Sequence, residues 1–312
     1  MFTLFAQMAA GAFALPFLAT QAHLLGFEWF TQSAMYAPLA LLNFLLVAFG
    51  LFMSTMHLGK PHRFYRGFNN LRHSPVSREG LGIAVVVGTL GLHIAFSVAA
   101  NDTYRALVGG LLGLNPDVLI LAGTAAKGAV VMGYLAIAAS LTGLYYMTRC
   151  YRIKARPFWN HWQVATAFGG SMLSLGALLS GAVLTATLAF NGQSFQAAAL
   201  LCAAVLTIGM AVEGIGHIAH AKDMGAAEHE GGASYYIQST TFGKTFLLRN
   251  ALLGLNVLLA AGLLVSMVMQ PGFGLPTMLG WAAAGLTLVT TSIIGRALFY
   301  VLVIPTTMPG AF

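Results

Sequence analysis

Charged side chains are scarce in this sequence: Asp, Glu, Lys and Arg make up 7% of its 312 residues, against roughly 25% in an average soluble domain. A soluble globule of this size needs a charged shell, and this chain cannot supply one. Hydrophobic residues account for 58%, so much of the surface must face something apolar, and lipid is the available medium. Acidic residues are rarer still, 8 against 15 basic ones, for a formal charge of +7. In a soluble protein such an excess would raise nucleic acid as a partner. Here the basic residues fall largely in two short loops and read as topology signals instead. Cysteine is nearly absent. Cys150 is placed at a helix end and Cys202 inside a helix, without a CxxC pair or a His/Cys ligand spacing, which argues against a disulfide framework and against zinc. The alternating pattern of barrel strands is also missing.

What the chain has is long apolar runs. A bilayer core of about 30 Å needs about 20 apolar residues as helix. Eight stretches reach that length, approximately 4–25, 35–57, 80–100, 118–148, 161–190, 195–220, 247–269 and 278–304. The expected fold is therefore all-α: a polytopic membrane protein with a bundle of eight transmembrane helices, forming a single integral membrane domain over 1–312. The segment Met1–Ala22 has no basic leader and continues past a plausible cleavage point, so it reads as a retained helix rather than a signal peptide. No internal repeat of transporter scale is apparent.

The loops orient the bundle. Lys60, Arg63, Arg66, Arg72 and Arg78 lie between the second and third spans, and Arg149, Arg152, Lys154 and Arg156 between the fourth and fifth. Basic loops stay inside, which predicts that both loops and both termini are cytoplasmic. The longest loop, Ala221 to Arg249, falls on the same side and is too short for a soluble domain. Catalytic chemistry on a soluble substrate must then occur on a partner chain.

The loop from Met56 to Gly80 carries most of the signal. Phe64, Tyr65, Phe68 and Leu71 recur at helical spacing among arginines, the pattern of a short basic amphipathic segment at the headgroup level. Such a segment serves equally as a lipid anchor and as a docking surface, since arginine and aromatics anchor interfaces. Lys60, Arg66 and Arg72 are the docking residues expected for a soluble partner. His57 closes the second span and Glu79 is expected in the first turn of the third, where a carboxylate also complements the helix dipole. Each has a plain structural explanation alone. Together they bracket one loop at the water boundary, where a histidine and a carboxylate can hydrogen-bond a quinone carbonyl and relay protons.

Glu213, His217 and His220 stand at i, i+4 and i+7 on the sixth span, hence on one face. They form a secondary candidate cluster, with self-satisfaction of a Glu–His pair as the plain alternative. Arg296 in the last span is equally costly in lipid, and Glu213 is its expected electrostatic partner. His93 lies near mid-membrane and is the one conceivable axial haem ligand. No second intramembrane histidine is found at matching depth, so haem is not expected. Gly169, Gly170, Gly176 and Gly181 allow close helix approach.

Taken with His57-Leu58-Gly59-Lys60-Pro61, Leu71-Arg72, Ser77-Arg78-Glu79, the Tyr151–Asn160 turn with Arg156-Pro157 and Trp159-Asn160, and the Gly295-Arg296…Leu298-Phe299-Tyr300 ending, the chain resembles the DmsC-type membrane anchor subunit of dimethyl sulfoxide reductase and its relatives. The resemblance covers essentially the whole chain. It implies a three-subunit complex in a bacterial inner membrane: a molybdenum-cofactor catalytic subunit, an iron–sulfur subunit with four clusters, and this anchor. The anchor would carry no haem and would exchange electrons between quinone, menaquinone or ubiquinone, and the iron–sulfur chain. His57, Gly59, Arg63 and Glu79 would then be quinone-site positions, with the head group between the second, third and sixth spans. The family includes sulfoxide-type reductases and sulfite-oxidising enzymes, and the cytoplasmic orientation leans toward the latter. Two other classes stay open: a secondary transporter with Glu213 and Arg296 on a substrate path, and a structural anchor without its own redox site.

Overall fold

A computed structural model describes residues 2–24, 26–56, 59–118, 120–269 and 274–302. Among them are helices and no strands, as lipid requires of a non-barrel chain whose backbone groups must be paired within each segment. Among the described residues eight helices are long and apolar enough to cross a membrane: α1 (Phe2–Gln21), α3 (Tyr36–Met56), α4 (Pro75–Ala100), α6 (Ala122–Tyr151), α7 (Gln163–Phe190), α8 (Gln196–Gly225), α10 (Gly243–Met269) and α11 (Leu275–Val301). Three short helices, α2 (Phe27–Gln32), α5 (Asp102–Leu112) and α9 (Glu230–Ser239), sit in the connections.

Two boundaries differ from expectation in ways that matter. Glu79 is not in the first turn of its helix. Ser74 Oγ accepts from Ser77 N at 3.3 Å and Pro75 takes the first helical position, where its missing N–H costs nothing. That start puts Glu79 a turn inside α4. The basic loop forms no α-helix either: Pro61–Phe68 is a 3-10 segment kinked at Arg63. Arg78 ties its far end down, donating from Nε to Leu71 O at 2.7 Å and from Nη2 to Arg72 O.

The spans pack as two four-helix groups in chain order. α1, α3, α4 and α6 surround one another, as do α7, α8, α10 and α11, and α1 against α7 forms the main seam between them. Small residues make that seam possible. A Cβ on Gly11 would stand 1.9 Å from Met172 O, and one on Gly176 would stand 2.4 Å from the Gly11 backbone. Backbones this close gain dispersion and exclude lipid, the terms that hold helices together where water provides no drive. The seam places α1 and α7 deepest in the molecule.

The connections sort onto two faces. α2 and α5 share one, where Asn101 Nδ2 donates to Gln32 O and the Tyr104 hydroxyl to Ala34 O, both at 2.8 Å. The 3-10 segment, the turn after α6 and α9 share the other, called the basic face below. There Phe158 packs with Met224 and Leu298, and His161 Nε2 meets Asp223 Oδ2 at 3.0 Å.

Candidate functional site

Glu79 lines a cavity of about 540 Å³ at the basic face, within the ~300–1,000 Å³ range of small-molecule sites. Five spans and one turn build it: Phe2 and Thr3 of α1, Leu51, Met53 and Ser54 of α3, Val76, Glu79 and Gly80 of α4, Cys150 and Tyr151 of α6, Trp159, and Tyr300 of α11. Cys150 Sγ donates to Glu79 Oε2 at 3.2 Å. The Tyr151 and Tyr300 hydroxyls are 2.9 Å apart. Trp159 Nε1 donates to Phe299 O at 2.8 Å, its ring lies 5.2 Å from that of Phe299 in a stacked pose, and Arg156 covers it at 5.1 Å. Thr3 and Ser54 add hydroxyls, and the rest of the wall is apolar. One carboxyl, one thiol and two phenols thus face a space that would admit a lipid-soluble ring.

The other predicted site residues divide around this cavity. His57 lies outside the described residues, although Met53 and Ser54 carry α3 to the cavity. Gly59 is exposed, with open space where a Cβ would stand. Arg63 is exposed and does not line the cavity. Lys60, Arg66 and Arg72 are exposed as well, consistent with a free basic surface. The sixth span contributes nothing to the wall. The second and third spans line this cavity together with the first, fourth and eighth, while the sixth stands apart. The reason is the packing, which sets α8 in the other four-helix group.

The Glu213 cluster lies apart from this cavity. Glu213 is 7% exposed and Arg296 likewise 7%. His217 Nε2 meets Glu213 Oε1 at 3.3 Å, and Gln163 Nε2 meets His217 Nδ1 at 3.1 Å. Arg296 reaches Glu213, its expected electrostatic partner, through Ser171 rather than by a direct ion pair. Its Nη2 donates to Gln7 Oε1 at 2.7 Å and to Ser171 Oγ at 3.4 Å, and Ser171 Oγ donates on to Glu213 Oε2 at 3.5 Å. The guanidinium also sits 4.1 Å over the Phe168 ring. His220 leaves this chain and bonds Phe158 O at 2.9 Å. A pocket of about 30 Å³ beside His217 and His220 has Phe299 in its wall, and Phe299 with Trp159 stands between it and the Glu79 cavity.

His93 is 2% exposed at the far end of α4. Its Nδ1 faces Ala129 O and its Nε2 the Tyr36 hydroxyl, each at 2.8 Å. Both ring nitrogens are therefore engaged by the protein. Among the described residues no group of three or more His, Cys, Asp or Glu is arranged to hold a metal, and both cysteines are free.

Cys150, Tyr151, Trp159 and Tyr300 were missed as site residues by the sequence reading. The signal available was positional: Cys150-Tyr151 ends a span on the same face as Glu79, and Tyr300 does the same in the last span.

Comparison with curated proteins and with solved structures gives no match. The family model for the DMSO reductase anchor subunit (DmsC) matches residues 1–302. With eight candidate spans and nearly the whole chain matched, the protein belongs to the DMSO reductase anchor subunit family.

Proposed function

We propose that this anchor exchanges electrons between a membrane quinone and an iron–sulfur partner docked on the basic face, and that the quinone head group binds in the Glu79 cavity. The observation that carries the reading is Glu79 itself, a carboxyl set a turn inside the membrane helix yet on the wall of a cavity large enough for a ring. Intramembrane carboxyls facing a cavity are functional far more often than structural. Glu79 holds and passes the proton that accompanies electron transfer, and Cys150 orients its Oε2. The Tyr151–Tyr300 hydroxyl pair offers a hydrogen bond to a carbonyl oxygen. Apolar residues from α1, α3 and α4 exclude water from the ring.

The exposed Lys60, Arg63, Arg66 and Arg72 form the docking surface for the iron–sulfur subunit, which passes electrons to or from a molybdenum-cofactor subunit. Those groups belong to the partners. The engagement of both His93 ring nitrogens supports an anchor without haem, and an absorption spectrum of the purified complex tests this. The basic loops support a cytoplasmic location for this face in a bacterial inner membrane.

The test is Glu79→Gln and Glu79→Ala in the assembled complex. Quinone-coupled turnover is expected to fall by about 10²-fold or more, the usual scale for a positioned proton-transfer group, while artificial-dye turnover by the soluble subunits stays intact. Unchanged quinone turnover in both variants would overturn the assignment.

A further inference from the structure

On the same face but in the other four-helix group, α8 and α10 leave a groove of about 470 Å³ between them. Ile215, Ile218, Leu253 and Val257 line it, and its polar features are Arg249, His217 and Asn250. Ile215 and Ile218 are 60% and 72% exposed, so the groove's rim lies on the surface that faces lipid.

Arg249 is the unusual member. It is 5% exposed, and its Nε has no hydrogen-bond partner among the described residues. None of the four ion pairs among those residues includes it. Its guanidinium rests 5.2 Å from the Phe246 ring centre. The nearby carboxylate, Glu213, is already bonded to His217 and linked through Ser171 to Arg296. Two buried guanidiniums thus share one buried carboxylate, and the interior of this group is left with excess positive charge. Such a charge in lipid requires an anionic partner.

We propose that the groove binds an acidic phospholipid, its phosphate oxygen on the Arg249 guanidinium and an acyl chain along Ile215, Leu253 and Val257. Arg249 is the seventh residue of α10, on the order of 9 Å from the helix start, a depth that a long guanidinium side chain bridges to the headgroup layer. Lys222 in the last turn of α8 and Lys244 in the first turn of α10 are both exposed. They add positive charge at the groove's mouth, and a fixed anionic headgroup answers both layers of charge. The Glu79 cavity, with its carboxyl, thiol and phenols, has the opposite character.

The experiment uses the full chain in nanodiscs or mixed micelles with phosphatidylglycerol and phosphatidylcholine, and reads bound lipid by native mass spectrometry. Wild type is expected to retain phosphatidylglycerol in preference to phosphatidylcholine, and Arg249→Gln to reduce that preference at least fivefold. Gly254→Leu provides an independent arm: a Cβ at Gly254, which lines the groove, meets nothing within 4 Å, so leucine fills the groove without disturbing the helix. It too should release the lipid. Equal retention of both lipids by wild type overturns the proposal, as does retention unaffected by both variants. Loss of bound quinone rather than phosphatidylglycerol in Arg249→Gln would also overturn it.

Discussion

The Cys150 thiol donates to the Glu79 carboxylate across the α4–α6 interface, 71 residues apart in sequence and 3.2 Å apart in space. The thiol is a weak donor, so its contribution is orientation more than energy. Cys150→Ala is expected to lower quinone-coupled turnover about three- to fivefold, somewhat under 1 kcal/mol of transition-state stabilisation. Cys150→Ser, which restores a donor, should recover most of it. Steady-state kinetics of the assembled complex check this, and a loss equal in both variants would point to packing instead.

The basic surface leads to a second expectation. Lys60, Arg66 and Arg72 are exposed, so replacing all three by glutamate should leave the anchor folded and weaken capture of the iron–sulfur subunit. Rim charges act mainly on association rate and salt dependence. Copurification at low and high ionic strength is the measurement. Raising the salt should weaken wild-type capture and make little difference to the triple variant.

Arg296 and Glu213 should behave as one unit. Arg296→Met strips Gln7 and Ser171 of their donor and leaves Glu213 without its linked cation. Removing one partner of a buried charge network costs about 3–5 kcal/mol. Adding Glu213→Gln to that variant should recover part of the loss, because the stranded charge goes with it. Thermal unfolding of the four members of this cycle in detergent decides the point. Strict additivity would mean that the two side chains do not communicate.

The glycine seam makes a contrasting pair. Gly11→Ala or Gly176→Ala drives a methyl into backbone atoms of the facing helix and is expected to cost about 1–3 kcal/mol or more, read as lower yield and melting temperature. Gly59→Ala, with open space around it, should leave stability unchanged.

How much of this was legible in the sequence follows from what kind of information each feature needs. The eight spans were visible because apolar length is a local property, and most of their ends fall within a few residues of expectation. The start of α4 is also local, written as Ser74-Pro75, but hydropathy alone begins the span near 80 and leaves Glu79 too shallow. Hydropathy likewise begins the seventh span near 247, whereas α10 starts at Gly243 and so sets Arg249 deeper in the helix. Glu79 and the Glu213 cluster were found because charge in an apolar run stands out. That they belong to different cavities was not legible, since one chain records nothing about which helix packs on which. Arg296 illustrates the limit: its cost was evident, but its bonds to Gln7 and Ser171 depend on the α1–α7 seam.

The bond from Arg296 to Gln7 also has a chronology. The two residues are separated by 289 positions, and at ~5–20 residues per second synthesis takes on the order of 15–60 s to cover that interval. Throughout that time the amide of Gln7 sits in the first span without the guanidinium that will eventually hold it. Joining the first span to the eighth therefore waits until both are made, and a product truncated before the eighth span would carry the Gln7 carbonyl without this donor.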